Sequence, residues 1–203
     1  MDALLLGVVF GLTITVSFGP GFIALFQTSI TRGQLAGFVV ATGILMSDLL
    51  LVSVSYFGLS GLVQQKYYRI MGILAGVILV VTGVVSFFRE TEIVIRPENS
   101  QGLKESIPGL LMKGFLLNVA NPLSLVFWIG IVAFAAKSWG ISSYNVLWFF
   151  TGVFITAYST DLLKCYLSGT LRKILASETI RFLTRAIAFI FIGIGIYIIY
   201  KAR

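Results

Sequence analysis

The sequence has few charged residues and no histidine. Of its 203 residues only 11% are charged and 58% are hydrophobic, and the mean hydropathy is +0.99. Ordinary soluble domains carry about a quarter charged residues, so this chain cannot cover a globular surface with polar side chains. The composition therefore predicts an integral membrane protein that contacts the lipid bilayer.

The missing residue types also exclude kinds of chemistry. Histidine is the commonest general base and a frequent metal ligand, and a single cysteine, Cys165, provides neither a disulfide nor a Cys-x-x-Cys site. No pairing of a nucleophile with a base stands out, so we predict no enzyme, no metal site and no cofactor. The net charge of +7 is interpreted as the bias that orients membrane helices, and no nucleic-acid partner is predicted.

Charged residues divide the chain into six largely apolar runs, each long enough for the about 20 residues that a membrane helix needs. The runs are 3–31, 32–66, 70–88, 114–136, 138–163 and 180–200. If both termini share one side, the connections on the other side hold ten of the 15 basic residues. The positive-inside rule then places those connections in the cytoplasm and both termini outside. We predict an all-α, six-span protein of the inner membrane.

The two halves of the sequence repeat each other. The first and fourth spans contain Pro20 and Pro122, while the second and fifth contain Asp48 and Asp161, 113 positions apart. Three further pairs lie 112 positions apart: Arg69 with Arg181, Gly83 with Gly195, and Arg89 with Lys201. Because three spans are an odd number, the second repeat must cross in the opposite direction, as in many secondary transporters. We predict repeats at 1–95 and 109–203, a cytoplasmic linker at 96–108, and broken first and fourth helices.

Polar groups inside the predicted spans mark a candidate site. A proline frees the carbonyl four residues before it, so Pro20 and Pro122 each leave one carbonyl unpaired, in the second case that of Asn118. The helix resuming after Pro20 would direct its N-terminal amides at a carboxylate, and the free carbonyls suit an ammonium group. This combination matches a zwitterionic amino acid. The substrate-binding candidates are Gly19, Pro20, Gly21, Gln27, Asn118, Asn121 and Pro122.

Asp48 and Asp161 are acidic residues within spans, where insertion of an aspartate costs about 2.5 to 3.5 kcal/mol. We interpret them as groups that couple protons or set the charge of the substrate. Asp161 has an alternative structural interpretation as the partner of Lys164 one turn later, whereas Asp48 has no cation nearby in sequence. Glycines spaced four apart, at 7 and 11, 33 and 37, and 72 and 76, predict close helix contacts.

Two stretches of sequence resemble the signature of the LysE/RhtB amino-acid exporters. The first comprises Phe18-Gly19-Pro20-Gly21-Phe22, Gln27-Thr28-Ser29, Arg32-Gly33, Ala36-Gly37, Gly43 and Ser47-Asp48; the second comprises Lys113-Gly114-Phe115, Leu117-Asn118 and Asn121-Pro122. The resemblance covers nearly the whole chain and implies a dimeric inner-membrane exporter of amino acids or similar metabolites, driven by the proton or membrane-potential gradient. Phe18 and Leu123 stand where the family often has proline and lysine, which leaves the substrate open.

The leading functional hypothesis is a secondary exporter in which the broken helices bind the amino-acid backbone and Asp48, with Asp161, couples protons or sets charge preference. The alternative within transport is divalent-cation efflux, in which aspartates and asparagines act as oxygen ligands. A membrane assembly protein that transports nothing is the hypothesis from a different class, and it leaves both buried aspartates without a role.

Overall fold

The computed structural model of the chain describes residues 2–15, 20–61, 106–140 and 142–168, together with Thr170 and individual helical residues within 73–88 and 182–200. In this part of the chain every regular element is a helix, and no strand occurs. The helices with defined bounds are α1 (Ala3–Thr15), α2 (Pro20–Arg32), α3 (Gln34–Gly61), α4 (Ile107–Val119), α5 (Pro122–Trp139) and α6 (Tyr144–Tyr166). The predicted all-α class is confirmed over these residues.

Two of these helices are long and apolar enough to cross a membrane by themselves. They supply candidate spans of 25 residues in α3, Gln34–Gly58, and 23 residues in α6, Tyr144–Tyr166. α4 and α5 together form a third candidate that is bent by 68° at their junction. The first predicted span corresponds to α1 and α2, each of 13 residues. The third and sixth predicted spans fall largely outside the described residues.

Serine caps move two predicted boundaries. α4 begins at Ile107 after Ser106, whose hydroxyl accepts from the Gly109 amide at 3.4 Å, so the predicted start of the fourth span at residue 114 is wrong. α6 begins at Tyr144 after Ser143, whose hydroxyl accepts from the Asn145 amide at 3.3 Å, and not at residue 138. Charged residues mark where a chain nears water, whereas a capping side chain decides where a helix begins.

The burial pattern of α3 is the reverse of that in a soluble protein. Its buried positions include the polar Ser47, Asp48 and Ser55, while Val54 and Phe57 are more than half exposed. An apolar outer face with polar groups inside is stable only when lipid covers the outside. α3 is therefore a membrane helix whose polar side faces the protein interior.

Hydrophobic packing places α3 and α6 at the centre of the described helices. One buried cluster joins α1, α3, α5 and α6 around Trp128 and Phe149. A second joins α2, α3, α4 and α6 around Leu25 and Val40. Because α3 and α6 contribute to both clusters, the two helices that carry Asp48 and Asp161 lie side by side within the bundle.

Glycines allow the helix backbones to touch. A Cβ added at Gly7 would overlap the Phe149 carbonyl, and one added at Gly43 would overlap the Leu111 carbonyl, so α1 packs closely on α6 and α3 on α4. Gly37 faces Ser29 and Cys165 in the same way, which agrees with a packing role. The prediction for Gly33 is wrong: it has open space around it and a φ of +92°, because it forms the turn between α2 and α3.

Candidate functional site

The Asp48 carboxylate receives hydrogen bonds from two different helices. It lies within α3 and is 6% exposed. The Asn118 amide nitrogen Nδ2 on α4 donates to its Oδ1 atom at 2.7 Å, and the Trp128 indole nitrogen Nε1 on α5 donates to the same atom at 2.8 Å. Both donors act on Oδ1, and among the described residues no hydrogen bond to Oδ2 occurs. A buried carboxylate held by neutral donors is stabilised without being neutralised by a cation.

A chain of side-chain hydrogen bonds fixes the Asn118 amide. Its Nδ2 atom also donates to the Ser47 hydroxyl, while its Oδ1 atom accepts from the Ser124 hydroxyl at 2.8 Å. Ser124 in turn accepts from Nδ2 of Asn121 at 3.1 Å. The donor side of Asn118 must therefore face Asp48, because its acceptor side is already bound to Ser124. This network connects both sides of the junction between α4 and α5 to the carboxylate on α3.

The α4–α5 junction differs from the sequence expectation in one respect. Pro122 begins α5 and carries no amide hydrogen, yet the Asn118 carbonyl is not left free, since it accepts from the Asn121 amide at 3.1 Å. The Ala120 amide similarly donates to the Leu116 carbonyl at 2.9 Å. These tight closing bonds satisfy the end of α4. The predicted free carbonyl at Asn118 is therefore wrong, and an ammonium group would need a different acceptor.

These polar groups border a cavity of about 60 Å³. A water molecule takes about 30 Å³ of liquid volume, so the cavity holds water or a few ligand atoms in this conformation. The residues that line it come from α1 to α6 and are Ile14, Gly21, Phe22, Ile44, Asp48, Asn118, Asn121, Ser124, Ala157, Asp161 and Lys164. The site is thus a polar pocket with an apolar wall, enclosed by helices from both halves of the chain.

The structure brings together five of the predicted site residues at this cavity: Gly21, Asp48, Asn118, Asn121 and Asp161. Pro20 begins α2 and is half-buried, but it is not one of the described lining residues. Gln27, whose carbonyl accepts from the Thr31 hydroxyl at 2.8 Å, lies further along α2 and does not line it either. Gly19 and the Pro122 side chain lie outside the described residues.

The structure pairs Asp161 with Lys164 and also places it at the cavity. Its Oδ1 atom forms an ion pair with the Lys164 ammonium at 2.8 Å, one turn along α6. Both residues nevertheless line the cavity that contains Asp48. The pair is therefore part of the polar pocket and not a solvated pair on the helix surface.

Sequence reasoning missed Ser124 and Trp128, which complete the network around Asp48. They follow Asn121 by three and seven positions, the spacing of one helix face. Trp128 is fully buried, unlike the tryptophans that anchor helices at a membrane surface. Both Ser124 and Trp128 could have been predicted by continuing the helix face that carries Asn118 and Asn121 into the following helix.

The structure defines a helical membrane protein in which broken and continuous helices enclose a small polar pocket. The LysE type translocator family model matches residues 12–202. The chain belongs to this family and is a membrane transporter. A Bacillus subtilis (strain 168) protein named "Putative amino acid efflux protein YcgF" is 26% identical over 206 residues, covering 99% of this chain and 97% of that protein. No solved structure matches the chain.

Proposed function

We propose that this protein is a secondary exporter of amino acids or closely related small metabolites across the inner membrane, coupled to the proton motive force. The observation that carries the proposal is the cavity itself, where Asp48 and Asp161, one from each half of the chain, share a pocket with asparagines at a helix break. Family membership and the name of the Bacillus subtilis relative support amino acids as the cargo.

We also propose that the halves are inverted repeats, 1–95 and 109–203, joined by a cytoplasmic linker at 96–108. Paired contacts support this arrangement. Gly11 of α1 packs against the Val153 carbonyl of α6, and Gly114 of α4 packs against the Val40 carbonyl of α3. Val40 and Val153 differ by the same 113 positions as the two aspartates. The first helix of each repeat thus packs on the second helix of the other.

A second pair of contacts supports the same relation for the third and sixth spans. Gly76 lies against the Gly195 carbonyl, and Gly83 lies against the Ala188 carbonyl. Adding 112 to residue 76 gives 188, and adding 112 to residue 83 gives 195. When the two halves are interchanged, the contact between 76 and 195 therefore becomes the contact between 188 and 83. This exchange is what a twofold relation between two inverted halves requires. The proposal includes six spans, both termini outside, and a homodimer.

In the proposed mechanism the first turn of α2 faces a substrate carboxylate, because the N-terminal end of a helix attracts anions and Gly21 lines the pocket. The amides of Asn118 and Asn121 orient the ligand from the opposite helix break. Asp48 is the group that couples protons, since its Oδ2 atom is available to exchange a proton or to meet the substrate ammonium. Gly19, Pro20 and Pro122 shape the breaks, and Gln27 is proposed only as a secondary contact.

Divalent-cation efflux is the alternative within transport, and assembly without transport is the alternative from another class. Two carboxylates do share the cavity, but the Lys164 ammonium also lines it, pairs with Asp161 at 2.8 Å and repels a metal ion. Among the described residues, no three or more Asp, Glu or Cys side chains are grouped so that they could hold a metal ion. An assembly role would leave the Asp48 network without a purpose.

Reconstitution in liposomes tests the transport proposal. Preloaded amino acids should drive counterflow of the same labelled amino acid, and an imposed pH gradient should drive accumulation. Asp48→Asn keeps the Oδ1 acceptor of Asn118 and Trp128 but cannot carry a proton, so counterflow should persist while the pH gradient loses its effect by tenfold or more. Asp2→Asn, at the exposed start of α1, is the matched control. Unchanged pH dependence in Asp48→Asn would show that Asp48 does not couple protons.

A further inference from the structure

Lys164 occupies an unusual place for a helical ion pair. It lies in the last turn of α6, where its side chain is 15% exposed and that of Asp161 is 20% exposed. Ion pairs spaced three apart on a helix contribute only about 0.2 to 0.5 kcal/mol, which does not explain a lysine inside a transport cavity. The ammonium also lies 5.5 Å from the ring centroid of Phe22, which holds it over the first turn of α2.

Lys164 and the start of α2 both border the cavity. Phe22 and Gly21 belong to the first turn of α2, and both residues line the pocket with Lys164. The N-terminal end of a helix carries a partial positive charge. The anion that accompanies Lys164 in this conformation is Asp161 at 2.8 Å. Asp48 and the Asn118–Ser124 network border the same cavity. The cavity thus contains an ammonium as well as carboxylates, and groups of both signs suit the two charges of a zwitterion.

We propose that Lys164 binds the carboxylate of the transported molecule, and that Asp161 is the counter-ion that Lys164 exchanges for it. This inference rests on the proposed export function and adds to it the chemical group that the substrate must carry. A largely desolvated ammonium needs an anionic partner in either state, and the exchange keeps it paired throughout. Amines and amides that lack a free carboxylate cannot replace Asp161 and are poor substrates.

Counterflow in liposomes tests the exchange with defined probes. Each of the twenty amino acids is assayed as the preloaded counter-substrate, and the most active one is compared with its own carboxamide and its decarboxylated amine. In the wild-type protein both carboxylate-free analogues should be about tenfold or more weaker, because a neutral group or a second ammonium cannot pair with Lys164. Absence of counterflow with every amino acid would overturn the export proposal itself.

Lys164→Met keeps the apolar stem beside Phe22 and removes the ammonium. The preference for the amino acid over its carboxamide should then disappear, whereas Lys164→Arg should restore it. Asp161→Asn should keep the preference and bind the amino acid more tightly, since the competing anion is gone. Lys137→Met, at the exposed end of α5, is the matched control and should behave as wild type. A Lys164→Met protein that still prefers the free carboxylate overturns the inference, and so does an Asp161→Asn protein that loses the preference.

Discussion

Replacing Trp128 with phenylalanine should weaken the protein mainly through one lost hydrogen bond. Trp128 is fully buried, donates from Nε1 to Asp48 Oδ1 at 2.8 Å, and stacks on Phe154 with ring centroids 5.2 Å apart. Phenylalanine keeps a ring in that stack but has no N–H group. Asp48 then loses one of the two donors to Oδ1, while the Asn118 hydrogen bond remains.

Two contributions determine the size of the effect. A hydrogen bond to a charged group contributes about 1.5 to 3 kcal/mol, whereas interhelical hydrogen bonds in membranes average about 0.6 kcal/mol. The smaller ring adds a packing loss of about 1 kcal/mol. We therefore expect Trp128→Phe to lower the free energy of unfolding by about 3 kcal/mol. In an Asp48→Asn background the acceptor is neutral, so Trp128→Phe should lower the free energy of unfolding by about 1.6 kcal/mol. The difference between the two losses, about 1 to 2 kcal/mol, is the coupling energy between Trp128 and Asp48.

The measurement is reversible unfolding in mixed micelles, followed by far-ultraviolet circular dichroism for the four proteins of the cycle. Trp148→Phe is the control, since Trp148 is 58% exposed and should change the free energy of unfolding by less than about 0.5 kcal/mol. Equal losses from Trp128→Phe in both backgrounds would mean that the Asp48 hydrogen bond is not what Trp128 contributes.

Two further predictions concern packing. Gly43→Ala should lower the free energy of unfolding by about 2 kcal/mol or more, because the new Cβ overlaps the Leu111 backbone. In the control Gly130→Ala the new Cβ meets open space, so the protein should be unchanged or stabilised by up to about 1 kcal/mol. Equal effects of the two substitutions on unfolding in micelles would refute close packing of α3 on α4. Cys165 is fully buried, so a membrane-permeant maleimide should label it slowly. The comparison is a Cys165→Ser, Tyr144→Cys variant, whose cysteine at the exposed position 144 should be labelled at least tenfold faster. Mass spectrometry gives both rates, and rapid labelling of native Cys165 would contradict its burial.

Local features account for what could be predicted about the fold. Composition and apolar runs identify membrane helices because a bilayer accepts little else, and Pro20 stands at the first position of α2, where its missing amide hydrogen costs no helical hydrogen bond. Helix ends were less predictable. Lys113 looked like a boundary but lies within α4, since Ser106 supplies the cap and a long basic side chain can reach polar surroundings from inside a helix.

The candidate site could likewise be predicted only in part from the sequence. The amino-acid sequence by itself determined that Asp48 and Asp161 need a polar environment, because a carboxylate in hydrocarbon is costly wherever the chain folds. Only the tertiary structure decided which groups provide it: Asn118 and Trp128, 70 and 80 positions from Asp48, donate to one oxygen. Tertiary packing likewise decided that Lys164, which the sequence pairs with Asp161, also lies over Phe22 in the shared cavity. Contacts between distant helices depend on how backbones approach at glycines such as Gly43 and Gly114, and no local pattern specifies those approaches.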